Sequence, residues 1–175
     1  MRSIRNWIAM FTVAALSMAA AAQDKPVDAG PYVASPDSAV AAMLREAEVG
    51  PNDYLIDLGS GDGRIVRTAA AVFGARGMGV EIQAPLVVLS NEMAKKEGVA
   101  DRAKFVTQDL FKTDISQATV VTMYLLPHTV NQLREKLLAE LRPGSRVVSH
   151  DYSLAGWTPH KTFEMDLEEK VSISG

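Results

Sequence analysis

Tyr54-Leu55-Ile56-Asp57-Leu58-Gly59-Ser60-Gly61-Asp62-Gly63-Arg64-Ile65-Val66 is an apolar run with an acid inside it, followed by three glycines at every second position. That glycine spacing fits neither a helix nor an ordinary strand, and the stretch reads as a buried strand, a tight turn and the first turn of a helix. Glycine lets the backbone take positive φ and lets a ligand approach the main chain with no Cβ in the way. The free N–H groups at the start of the following helix are expected to point into the turn.

A glycine-rich strand-to-helix turn is also the fingerprint of nicotinamide and flavin sites, so the glycines alone do not choose a ligand. Asp57 does. A carboxylate at the strand end would face the oxygens of a pyrophosphate, and two such charges about 5 Å apart repel by roughly 3 kcal/mol at an effective dielectric near 20. A guest without phosphate and with positive charge suits the site better. The spacing Asp-x-Gly-x-Gly-x-Gly, here Asp57 to Gly63, resembles the first motif of class I methyltransferases that use S-adenosyl-L-methionine (SAM), whose ammonium and sulfonium welcome a nearby acid.

The chain has 175 residues, room for one domain with a proper core. It has no cysteine, which excludes disulfides, thiolate metal sites and a cysteine nucleophile. Arg2 and Arg5 precede an apolar run from Trp7 to Ala19, and Ala20-Ala21-Ala22 supplies the small residues that a signal peptidase reads. Residues 1–22 therefore read as a signal peptide cleaved before Gln23, which implies an exported protein, periplasmic or secreted. An uncleaved anchor is the competing reading; after cleavage no stable membrane span is expected. Removing that segment takes away two arginines and no acid, leaving 16 basic against 21 acidic side chains, a formal charge of −5. That balance argues against a nucleic-acid partner.

Residues 23–34, with Pro26, Gly30 and Pro31, read as an extended arm before a domain over 35–175. Ser35 looks like an N-cap for a helix over about 36–48 that buries Val40, Met43, Leu44 and Ala47 and closes at Gly50-Pro51. Arg64 to Phe73 is helical, and Met78 to Glu81 is the second strand. A helix from Pro85 is expected to bury Leu86, Leu89 and Met93. Lys104 to Thr107 is the third strand, Asp114 to Gln117 a turn or short helical piece, and Val120 to Leu125 the fourth strand. A helix from Pro127 turns Val130, Leu133, Leu137 and Leu138 inward, and Arg146 to His150 is the fifth strand.

Strands alternating with helices predict an α/β fold, a doubly wound and mostly parallel sheet with helices on both faces, whose ligands sit at the carboxyl ends of the strands. The resemblance implies a Rossmann-like methyltransferase sheet of seven strands, the last pair a hairpin. Lys161–Met165 and Lys170–Ile173 are the remaining strand candidates, so the C-terminal pair is expected to be incomplete and the sheet edge incompletely covered.

Glu81 ends the second strand 18 residues beyond Gly63, where a carboxylate can accept two hydrogen bonds from ribose hydroxyls; a solvated glutamate is the plain alternative. Asp109 follows the third strand, where the family places an acid at the adenine amino group, although loop aspartates also cap turns. Tyr124 ends the fourth strand, beside which the methyl acceptor is expected, or else it is a core tyrosine. His128 reads as a helix-opening or solvated capping residue, His150-Asp151 lies at the fifth strand's end near the same rim, and His128, His150 and His160 are too scattered for a metal site. There is no nucleophile elbow, and no single side chain declares itself as a base.

Gly30-Pro31-Tyr32-Val33-Ala34-Ser35-Pro36, the glycine motif, Gly79-Val80-Glu81, Asp109-Leu110-Phe111, Tyr124-Leu125-Leu126-Pro127 and Leu141-Arg142-Pro143-Gly144-Ser145-Arg146-Val147-Val148-Ser149 together resemble the protein lysine methyltransferases related to the ATP synthase c-subunit lysine methyltransferase and to archaeal protein lysine methyltransferases. The resemblance covers about residues 30–159. It implies SAM as cofactor, held by Tyr32, Val33, Ser35, Asp57, Gly59, Ser60, Gly61, Gly63, Glu81, Ile82, Asp109, Leu110 and Tyr124, with the arm closing over it and Tyr124 positioning the acceptor. It implies N-methylation of a protein lysine. A methyltransferase of small molecules, or an exported non-catalytic protein that keeps the fold as a binding module, remains open beside it.

Overall fold

The structure, a computed structural model, describes residues 32–164. The expected signal peptide, the arm before Tyr32, Met165 and the strand candidate at 170–173 lie outside the described residues.

The described chain runs α1 (Asp37–Glu46), β1 (Tyr54–Leu58), α2 (Arg64–Val72), β2 (Arg76–Glu81), α3 (Ala84–Lys96), β3 (Ala103–Thr107), a short 3-10 turn at Leu110–Lys112, β4 (Val120–Met123), α4 (Pro127–Glu140) and β5 (Arg146–Ser149). The five strands pair in parallel in the order β3-β2-β1-β4-β5. The order turns back between β1 and β4, which is where such sheets open a crevice for ligands. Alternating residues serve two cores. Leu55 and Val120 pack with Val40, Met43, Val66, Ala69 and Val87 of α1, α2 and α3, while Ile56, Leu58, Val121 and Met123 pack with Val130, Leu133 and Leu137 of α4.

Several expectations shift. Ser35 does not cap α1: Pro36 occupies the N-cap, its fixed φ of −55° turning the chain into the helix without a side-chain bond. The helix ends at Glu46, before Gly50, because Glu48 takes the left-handed conformation (φ 53°) and the Val49 N–H bonds back to Leu44 O at 3.0 Å. On α3 the buried side chains are Val87, Ser90 and Ala94, while Leu89 is 41% exposed. Small residues prevail on that face because α3 crosses the glycine turn closely, the Ser90 hydroxyl donating to Gly61 O at 3.1 Å. On α4, Thr129 is buried with Val130, Leu133 and Leu137, and Leu138 points out, 56% exposed. Strand pairing stops at Met123 and Ser149, short of Leu125 and His150. Lys161–Glu164 forms no strand.

Arg146, in the Arg-Pro-Gly-Ser-Arg block, works at the amino ends of the strands, away from the crevice. Its guanidinium donates to Ala47 O (2.6 Å) and Glu48 O (3.0 Å) and pairs with Asp53, which also accepts from the Thr119 hydroxyl at 2.7 Å. One side chain thus closes the end of α1 and ties β5 to the entry of β1.

Candidate functional site

At the carboxyl ends of the strands the structure has a cleft of about 710 Å³, in the size range of small-molecule sites. The glycine turn forms its floor. Gly59 and Ser60 donate their N–H groups to Val80 O, both at 2.9 Å, so the turn is pinned to the end of β2. Gly61 N–H donates to Glu81 Oε2 at 3.0 Å, and Gln83 N–H to Glu81 Oε1 at 2.9 Å. These bonds hold the Glu81 carboxylate in place while each oxygen keeps a lone pair for another donor.

Of the expected site residues, Tyr32, Val33, Ser35, Asp57, Gly59, Ser60, Gly61, Glu81, Ile82, Asp109, Leu110 and Tyr124 all line this cleft. Gly63 does not. It sits at φ 78° as the N-cap of α2, and a Cβ there would come within 2.5 Å of the Phe105 ring and 2.9 Å of Ser90. Its part is to let α2 start against β3 and α3. At Gly61 a Cβ would come within 2.3 Å of the Tyr32 ring, so the arm lies directly on the turn.

The helix N-terminus is less open than the sequence suggests, because the Arg64 N–H is taken by Asp62 Oδ1 at 3.2 Å. The Arg64 guanidinium also grips Asp62 and reaches Ser35 O at 2.8 Å, tying the arm to α2. Burial acts to raise Asp62, but the Arg64 hydrogen bonds outweigh it and hold the carboxyl below the usual range. Burial and the neighbouring Asp62 charge raise the Tyr32 phenol, so it stays protonated.

Asp57 is buried at the end of β1, where the Thr122 hydroxyl donates to its Oδ1 at 2.7 Å. Its Oδ2 and the Ser60 hydroxyl are buried without a hydrogen-bond partner among the described residues. Burial pushes the Asp57 carboxyl up to about 7; the Thr122 hydrogen bond opposes this, and the charges of Glu81 and Asp62 add to it. An unsatisfied buried carboxylate oxygen beside two other acids calls for a cationic hydrogen-bond donor and rejects phosphate. The set therefore fits SAM. Asp57 would face its positive charge and Glu81 would offer oxygens to its hydroxyls, with Asp109, Ile82 and Leu110 lining the same cleft.

Asp109 both caps and lines: its Oδ1 accepts from Phe111 N–H at 2.9 Å, closing the 3-10 turn, and it still borders the cleft. At the opposite wall the Tyr124 hydroxyl donates to Asp151 Oδ2 at 3.1 Å and its ring lies 4.2 Å from the His150 ring. Ser35, freed from capping, shares a 2.8 Å hydrogen bond with His150 Nδ1. His128 is exposed at the start of α4, its Nε2 3.1 Å from the Thr129 hydroxyl. Among the described residues no group of three or more His, Asp or Glu could hold a metal. Sequence reasoning missed Thr122, Arg64 and Asp62; it placed His150-Asp151 at the end of the fifth strand near this rim, and the structure joins Asp151 to Tyr124 there. A lone hydroxyl in the apolar strand Val120-Val121-Thr122-Met123, level with an acid in the neighbouring strand, was the available signal for Thr122.

The ANTKMT methyltransferase domain family matches residues 57–161. A protein-lysine N-methyltransferase of Saccharolobus islandicus is 43% identical over 137 residues, covering 78% of this chain and 85% of that protein. The ATP synthase c-subunit lysine N-methyltransferase of Rattus norvegicus is 42% identical over 108 residues, covering 62% of this chain; the match spans 50% of that longer protein. An RNA methyltransferase from Salinibacter ruber, solved with S-adenosyl-L-homocysteine, superposes with a TM-score of 0.75 at 50% identity, covering 76% of this chain and 87% of that one. With a cleft whose acids suit the same cofactor, the chain belongs to the ANTKMT methyltransferase domain family and is a SAM-dependent methyltransferase.

Proposed function

We propose that the protein transfers the methyl group of SAM to the side-chain nitrogen of lysine in a protein substrate. The observation that carries the acceptor is the 43% identity, over 85% of its length, to an archaeal protein-lysine N-methyltransferase. The cleft supports the cofactor half of the reading. Glu81 takes the ribose hydroxyls, Asp109 the adenine edge, and Asp57 the cationic end, with Tyr32 and Ser35 of the arm covering the turn. Bound SAM supplies a methyl carbon already activated by its sulfonium, so the protein's share is to orient the acceptor and keep water out.

Calorimetric titration with SAM, followed by transfer of labelled methyl into a lysate separated into protein, RNA and small-molecule fractions, tests this. Expected are saturable SAM binding that Glu81→Ala abolishes, and label recovered as methyl-lysine in the protein fraction. Label in RNA alone would favour the activity named for the Salinibacter ruber protein, against the acidic balance of this chain. Label in small molecules alone would also overturn the lysine reading.

We propose further that residues 1–22 direct export, supported by the basic start, the apolar run and the alanines before Gln23. N-terminal sequencing of the protein isolated from cells is expected to begin at Gln23; a start at Met1 in the cytoplasm overturns it.

A further inference from the structure

The ends of β4 and β5 lie side by side, and the chain just after β5 meets Tyr124, which lines the cleft. The Tyr152 N–H donates to His150 O at 2.8 Å across Asp151, whose φ is 63°. Only Glu48 and Asp151 among the described non-glycine residues have positive φ, a conformation uncommon outside glycine. Glu48 has a plain reason, since it closes α1. At Asp151 the tight turn instead sets a carboxylate, 39% exposed, against Tyr124, which lines the cleft: its Oδ2 is held by the Tyr124 hydroxyl at 3.1 Å and its Oδ1 lies 3.6 Å from His150 Nε2. His150 is itself anchored to the arm through Ser35. Strained backbone that is held from several sides is a recurring feature of ligand-binding positions.

In the sheet order, this carboxylate stands two strands from β1 on the side away from Glu81 and Asp109. Those two acids and Asp57 are assigned to the cofactor and Asp62 is paired with Arg64, so a further acid beyond Tyr124 has a different task. We propose that Asp151, aimed by Tyr124 and His150, binds the ammonium group of the acceptor lysine beside the Tyr124 wall of the cleft and thereby selects a cationic amine, which then gives up a proton to solvent to free the nitrogen lone pair that takes the methyl. The proposal rests on the lysine reading above. A carboxylate with one oxygen taken by a phenol retains acceptor sites for the three N–H donors of an ammonium. Partial exposure lets a side chain carried on another protein reach it. The phenol of Tyr124, raised by burial and by the Asp151 bond and charge, remains a donor.

Asparagine tolerates the left-handed backbone, so Asp151→Asn removes the charge and keeps the turn. The test uses the full chain with poly-L-lysine as acceptor, at fixed salt, and reads three things: KM and kcat for methyl transfer, the affinity of the S-adenosyl-L-homocysteine-loaded protein for poly-L-lysine, and the Kd for SAM. For Asp151→Asn the expected result is a KM and a poly-L-lysine Kd raised roughly 10- to 100-fold, the loss of one charge-assisted contact, with kcat and the SAM Kd little changed. Tyr124→Phe, which leaves the charge but not its aim, should give a smaller rise. Asp101→Asn removes an equal charge from a residue whose side chain is 69% exposed and should move none of these. Unchanged KM in Asp151→Asn, or an equal rise in Asp101→Asn, overturns the proposal while the lysine reading stands. Wild-type protein that binds SAM but methylates no lysine overturns both.

Discussion

Thr122 and Asp57 face each other across the parallel register of β4 and β1, and the threonine hydroxyl donates to Asp57 Oδ1 at 2.7 Å. This bond favours the charged carboxylate that burial disfavours. The balance between the two sets how readily the site accepts a cation.

Stability of the unliganded protein should therefore fall as pH rises. The Asp57 carboxyl sits near 3.8 when free and is pushed up to about 7 in the fold, so the native state holds its proton more tightly than the unfolded chain. The associated stability is fully present below about 4 and is lost as pH climbs through about 7, a change on the order of 2–4 kcal/mol. Urea unfolding between pH 4 and 8 should show this slope in wild type and a flatter one in Asp57→Asn.

Cofactor binding should run the other way. A bound cation favours the ionised form, so SAM affinity measured by calorimetry should rise by up to about tenfold per pH unit on approaching pH 7 from below. Thr122→Val, which removes the hydrogen bond favouring the carboxylate, should shift that rise to higher pH. Asp57→Asn should bind roughly 10- to 100-fold more weakly and lose most of the pH dependence.

Two neighbouring glycines should fail differently. Gly61→Ala pushes a methyl group into the Tyr32 ring and should weaken SAM binding; the ring can move aside, so the stability cost is mainly the positive φ of 53°, about 1 kcal/mol. Gly63→Ala drives a methyl group against Phe105 and Ser90 at positive φ and should destabilise the fold by about 1–3 kcal/mol. Thermal unfolding and calorimetry on the two variants separate these effects.

Arg64→Ala should loosen the arm. Its guanidinium links Asp62 to Ser35 O, and without it the segment over the turn loses its tie to α2. Limited proteolysis near Tyr32 should accelerate, and the SAM Kd should rise by roughly tenfold.

Arg146→Ala should leave the SAM Kd unchanged and cost about 1–3 kcal/mol of stability. The variant loses the carbonyls of Ala47 and Glu48 and leaves Asp53 without its cation, all at the end of the sheet away from the cleft. Denaturant melts with and without SAM would check both halves.

Local pattern was enough for much of this molecule. The alternation of apolar strands and helices gave the parallel sheet, and the Asp57-to-Gly63 spacing placed the cleft, because both depend on residues close together in the chain. The acids Glu81 and Asp109 were legible for the same reason: in this fold a strand's carboxyl end is a site position. Tertiary packing decided the rest. Which face of α3 is buried depended on how closely that helix crosses the glycine turn, where Ser90 and Ala94 fit and the larger Leu89 is turned outward. Ser35 gave up the cap for a partner 115 residues away, Thr122 met Asp57 across 65 residues, and Asp151 reached Tyr124 across 27. No periodicity records such pairings, since they exist only once strand register and the path of the arm are set. The sequence by itself thus determined the fold and the cofactor, while the partners of Ser35, Thr122 and Asp151 were decided by contacts between segments remote in the chain.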